Sequence, residues 1–134
     1  MSVDISSGGN GDCEATILVK ERNRLISKLS FTSADHEHGS CVDTAAWTSD
    51  AQFFVFSLES AGGHQPWHTP IMFFARKTHR VVPLEKFLPD PVTEPNFLLS
   101  PPDVVDFTTT KLPLDETPPQ RRSIHLGDLK LEKR

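Results

Sequence analysis

Six residues crowded into one short segment, Ser60, Gly62, Gly63, His64, Trp67 and His68, are suited to holding a ligand. Adjacent glycines adopt positive φ without steric cost, so their amides can converge on an anion. The Trp67 indole offers a flat face to a sugar or an aromatic ring. His64 and His68 supply imidazoles that accept or donate a proton near neutral pH. The competing interpretation is purely structural: Gly62-Gly63 makes a turn, Trp67 folds back over a sheet, and both imidazoles bond to main chain.

A second cluster, Asp35-His36-Glu37-His38, sets two histidines two residues apart. On an extended chain His36 and His38 point the same way, which presents two imidazoles to one metal ion. Zinc takes three or four ligands at about 2.0–2.3 Å, so Cys41, His64 or His68 would have to complete the set. The established ligand spacings, CxxC and HExxH, are absent. A solvated turn of alternating charge explains the same residues, and no cofactor other than a metal ion is suggested. For nucleophilic catalysis, Ser60 with His64 and either Asp50 or Glu59 supplies the right groups. The GxSxG elbow is missing, however, and a triad is defined by geometry rather than by nearness in sequence. Asp35, Glu37 and Glu59 carry carboxylates of the kind glycoside hydrolysis needs, as do most acidic loops.

The loop of residues 59–70 (Glu59 to Pro70) is flanked by two phenylalanine-rich runs, 53–58 (FFVFSL) and 71–75 (IMFFA). Short aromatic runs bounded by Gly, Pro and Asp form strands. A loop this long between paired strands is uncommon unless it is functional or disordered. Alternation sends Phe54, Phe56 and Leu58 to one face and Phe53 and Val55 to the other, which predicts a central strand covered on both sides. Upstream, residues 14–20 and 24–31, joined by the polar turn Glu21-Arg22-Asn23, predict a hairpin; residues 42–47 predict a third strand.

Downstream, Lys77-Thr78-His79 turns the chain into a strand over residues 80–84, which Pro83 confines to a sheet edge. Residues 84–88 suit one helical turn. The proline-rich stretch 89–102 suits an extended surface crossing, with brief pairing near 96–99. Residues 103–112 are β-branched and predict a strand, 115–119 a turn or a disordered stretch, and 123–131 a last strand or helical turn. Amphipathic crossover helices are lacking. The expected fold is all-β: a single-domain antiparallel β-sandwich or barrel of about seven short strands with minimal helix. It spans residues 13–134 behind a flexible N-terminal segment, 1–12.

Composition narrows the function classes. The net charge is −4 without a basic block, so the electrostatic footprint of a nucleic-acid binder is missing. No apolar run approaches the roughly 18–20 residues of a membrane span. Residues 1–12 have neither the basic start nor the apolar middle of a signal peptide; their tail-like character favours an exported chain relieved of its leader over a cytosolic one. Cys13 and Cys41 are the only cysteines. They form either one disulfide, as suits export, or two separate thiols in a reducing compartment.

Residues 47–57 (WTSDAQFFVFS) resemble the W-S-P-D-G signature of TolB-type propeller blades, in which a strand ends in a tight turn that feeds the next strand. Ser49 stands in place of the proline and Ala51 in place of the glycine. A propeller needs several blades of about 40 residues, so a single copy implies one strand–turn–strand unit. The wider run from SAGGHQPWHTP to FFARKTHRVVPLEKFL looks like segments of small uncharacterised bacterial proteins of exported type, to which no activity is attached.

The function expected from these residues is a non-enzymatic binding or interaction module, of inhibitor or immunity type. It would present residues 59–70 to a protein, small-molecule or carbohydrate ligand, because a rigid sheet displaying a loop loses little entropy on docking. The alternatives are a metal-dependent or hydrolytic enzyme centred on His36, His38, His64 and His68, and a purely structural domain.

Overall fold

Period-two alternation of apolar side chains organises the chain from its first paired strands. In Ala15–Glu21, Ala15, Ile17 and Val19 are buried while Thr16, Leu18 and Lys20 are half-exposed, the signature of a strand with one covered face. A computed structural model of the protein describes residues 2–7, 15–31, 40–60, 68–113 and 116–130. Among these residues ten strands and two short 3₁₀ turns are found: β1 Ser2–Ser7, β2 Ala15–Glu21, β3 Arg24–Ser30, β4 Ser40–Trp47, β5 Phe53–Ser60, β6 Ile71–Ala75, β7 Arg80–Pro83, η1 Leu84–Phe87, β8 Leu98–Ser100, β9 Val104–Thr109, β10 Gln120–His125 and η2 Leu126–Asp128.

The strands form three antiparallel sheets, β1-β2-β3, β4-β5-β6-β7 and β10-β9-β8. The fold is therefore all-β, as the sequence leads one to expect. The strands number ten rather than about seven, and the sheets are not closed into a barrel, which rules out the second of the two expected architectures. Part of the excess is β1, which pairs Val3 with Val19 and Ile5 with Ile17, so Ser2–Ser7 is strand where a flexible segment was expected.

The four-stranded sheet is the middle layer. Phe54, Phe56 and Leu58 of β5 join Phe74, Ile17 and Val19 in one buried cluster, between the middle sheet and β1-β2-β3. Val55, Ile71 and Phe73 join Val105 and Phe107 of β9, with Leu84, Val92, Phe97 and Leu126, in a second cluster on the opposite face. Each fully buried ring contributes on the order of 2–3 kcal/mol. Phe53 and Phe73 meet edge-on with centroids 5.9 Å apart, the geometry the ring quadrupoles favour. Pro83 lies in β7 at the edge of the middle sheet, the position to which proline is confined within a sheet.

Two turns set the ends of the central strands. Between β4 and β5, the Thr48 hydroxyl donates to Asp50 Oδ1 at 2.6 Å and accepts from the Phe53 amide at 3.2 Å, while the Gln52 amide donates to Asp50 Oδ1 at 3.1 Å. Ala51 sits there at φ 59°, a left-handed conformation that residues with a β-carbon adopt at a cost. Between β6 and β7, the His79 amide donates to the Ala75 carbonyl at 2.8 Å. The Arg76 amide donates to the Gln52 carbonyl at 2.9 Å, which ties the two turns side by side.

Candidate functional site

β5 runs toward the 59–70 loop and β6 runs away from it, with Phe53 opposite Ala75 at one end and Ser57 opposite Ile71 at the other. Ser60 closes β5 opposite Ser40. Gly62, Gly63, His64 and Trp67 lie outside the described residues, as do His36, His38 and Cys13. Cys41 is disulfide-bonded. Among the described residues no group of three or more His, Cys, Asp or Glu side chains is arranged to hold a metal ion.

What is described of the loop is its returning foot. His68 Nε2 lies 2.7 Å from Glu85 Oε1 of η1, with about a quarter to a third of each side chain exposed. The Thr69 amide donates to the Val92 carbonyl at 3.1 Å, and the Leu58 amide to the Pro70 carbonyl at 3.0 Å. His68 and Glu85 line a shallow cavity of about 290 Å³ together with Leu88, Asp90 and Leu112. Arg122 reaches Asp90 at 3.4 Å and donates from Nε to Thr109 Oγ1 at 3.0 Å. On the outgoing side, burial and then the neighbouring Asp43 carboxylate push the Glu59 carboxyl above its usual range.

The larger concavity lies at the other end of the β5–β6 pair. A cavity of about 730 Å³ opens between the β4–β5 turn, the β6–β7 turn and η2, lined by Asp50, Gln52, Lys77, Thr78 and Asp103 and floored by Phe53, Ala75, Leu126 and Leu129. Its frame is stiffly bonded. The Asp50 amide and the Ser49 hydroxyl both donate to the Pro102 carbonyl, at 3.3 and 3.2 Å, so the β4–β5 turn is fastened to the turn that precedes β9. Asp103, nearly buried, accepts from the Gly127 amide through Oδ2 at 2.7 Å and pairs through Oδ1 with His125 Nδ1 at 2.8 Å. Its carbonyl accepts from the Leu126 amide at 3.0 Å. The hydrogen bond to Asp103 raises the His125 pKa, against a smaller opposing effect of desolvation, with the charges of Asp103 and Asp128 adding to the rise.

No family model, curated protein or solved structure matches this chain.

The polar groups of this cavity divide by what they already bind. Both Asp103 oxygens are committed to η2 and its neighbour. Asp50 uses Oδ1 twice within its turn and leaves Oδ2 without a partner among the described residues. Lys77 is exposed and makes no ion pair among the described residues. The Thr78 hydroxyl is buried without a hydrogen-bond partner among them.

The sequence alone points to the loop end of the β5–β6 pair and not to this one. Its lining residues come from four separate stretches, around 50–53, 75–78, 103 and 126–129. The one local signal is the Thr48-Ser49-Asp50-Ala51 turn, which reads as a connector. Nothing in the spacing of Asp103 and His125 announces that they meet.

Proposed function

We propose that the protein is a non-enzymatic binding module that receives a small amphipathic ligand in the cavity between the β4–β5 turn, the β6–β7 turn and η2. The observation that carries this is the combination of an apolar floor with open polar groups on a braced rim. Ligand sites are concave, mostly apolar, about 300–1,000 Å³ in volume, and carry a few fixed polar groups that orient the guest. A rim held by paired turns loses little freedom on binding, so more of the contact energy appears as affinity. The His125–Asp103 pair is built into this rim and supports η2, in keeping with a scaffolding duty. No helix among the described residues is long and apolar enough to cross a membrane.

The test is to titrate ¹⁵N-labelled protein with fragment mixtures and map the amides that move. Shifts clustering at Gln52, Lys77 and Gly127 support the proposal. Shifts confined to Thr69, Leu88 and their neighbours at the loop end would transfer the site to the His68–Glu85 cavity.

A further inference from the structure

The open groups of the large cavity are of opposite sign. Among the described residues, Asp50 offers a free carboxylate oxygen from one turn, and Lys77 an unpaired ammonium from the next. The two turns are bonded to each other through Arg76 N and Gln52 O at 2.9 Å, one residue from Lys77 and two from Asp50. Even so, Asp50 and Lys77 make no ion pair with each other. Two opposite charges on adjacent turns, facing one cavity and not neutralising one another, form a bipolar receptor. A guest with one charge satisfies half of it and leaves its own charge beside a group of the same sign. A guest with an amino group and a carboxylate a few bonds apart satisfies both at once.

From this we infer, building on the reading of the cavity as a ligand site, that the guest is a free α-amino acid with a large apolar side chain. Its ammonium faces Asp50 Oδ2 and the side-chain carbonyl of Gln52, whose amide nitrogen is already donated to the Asp50 carbonyl at 3.4 Å. Its carboxylate faces Lys77. Its side chain lies on Phe53, Ala75, Leu126 and Leu129. The short link between the turns selects a compact zwitterion over an extended peptide, whose termini are held apart. The Asp103 carboxylate, with both oxygens occupied, takes no part in recognising the charge.

Calorimetry with phenylalanine, phenylpropanoate and phenethylamine tests this, since the three share an aromatic ring and differ in charge. Phenylalanine is expected to bind about fivefold more tightly than either singly charged probe, an exposed charge pair being worth up to about 1 kcal/mol. Lys77→Met should lose about the same factor for phenylalanine while leaving phenethylamine unchanged or somewhat tighter, since a like charge is removed beside it, and Asp50→Asn should do the converse with phenylpropanoate. Asparagine keeps the Oδ1 acceptor that the turn uses; should that variant fail to fold, the exposed Lys77→Met carries the test alone. A singly charged probe that matches phenylalanine, or a Lys77→Met that binds phenylalanine as the parent does, overturns the assignment. If none of the three probes binds while fragments still shift Gln52, Lys77 and Gly127, the zwitterion is wrong and the cavity stands as the site. Phenylalanine-induced shifts at the His68–Glu85 end overturn both.

Discussion

Gly127 lies so close to Asp103 that a β-carbon on the glycine would stand 2.6 Å from the carboxylate oxygen its own amide serves. The contact accounts for a small residue in the middle of η2. It also makes Gly127→Ala a sharp probe of the cavity wall, because Asp103 is held on its other oxygen by His125 and has little room to retreat. The expected loss is about 1–3 kcal/mol, in the range of overpacking, read from the urea midpoint. An unchanged midpoint would mean that η2 is looser than its hydrogen bonds imply.

The same carboxylate predicts a pH dependence. His125 has its pKa raised by the bond to Asp103, so the imidazolium binds its proton more tightly in the folded chain than in the unfolded one. That contribution is fully present below the ordinary imidazole range of about 6.5 and is lost as pH rises through the elevated folded value. The difference in melting temperature between the parent and His125→Gln should therefore be greatest near pH 5 and shrink toward pH 9, across the range where histidine changes charge. A difference that grows with pH would reverse the assignment.

Ala51 occupies a left-handed position in the β4–β5 turn. Glycine relieves the β-carbon clash, worth about 1–2 kcal/mol, and gives back about 0.5–1 kcal/mol in chain entropy. Ala51→Gly should accordingly stabilise the protein by roughly 0.5–1 kcal/mol, measured by denaturant unfolding. A loss of stability would show that the turn adopts another conformation.

Phe73 is wholly buried, whereas Leu98 is 64% exposed. Phe73→Ala should cost about 3–5 kcal/mol through lost burial and a cavity. Leu98→Ala should stay within about 0.5 kcal/mol of the parent. Comparable losses at the two sites would contradict the layer order described above.

His68 and Glu85 make a partly exposed pair at the foot of the 59–70 loop. Pairs in such settings contribute about 0–1 kcal/mol, so a double-mutant cycle with His68→Ala and Glu85→Ala should return a coupling below about 1 kcal/mol. A larger value would make this contact a principal clamp on the loop.

How much of this was legible in the chain can be judged from particular residues. Phe53 to Leu58 declared their two faces because β alternation is a local property, and both faces prove buried in separate clusters. The hairpin around Arg22 and Asn23 was equally local; both residues take positive φ there. β1 escaped notice because Val3 and Ile5 are its only apolar residues, and its order comes from pairing with β2 rather than from a core of its own. The cavity was invisible for a different reason. Asp50, Lys77 and Gly127 converge only because the middle sheet and the β8–β10 sheet end side by side, a long-range consequence that no window of sequence contains.

The burial of both faces of β5 has a consequence for how the chain finds its alignment. On a strand with one oily side, a slip of one residue is punished at once by exposing that side to water. On β5 such a slip would exchange Phe53 and Val55 with Phe54 and Phe56 between the layers, and hydrophobicity would object less than on a one-faced strand. The Thr48–Asp50 lattice, which captures the Phe53 amide before the strand begins, therefore works as a starting mark for the whole middle layer. Damage to that small polar knot should lead less to unfolding than to molecules assembled one step out of phase.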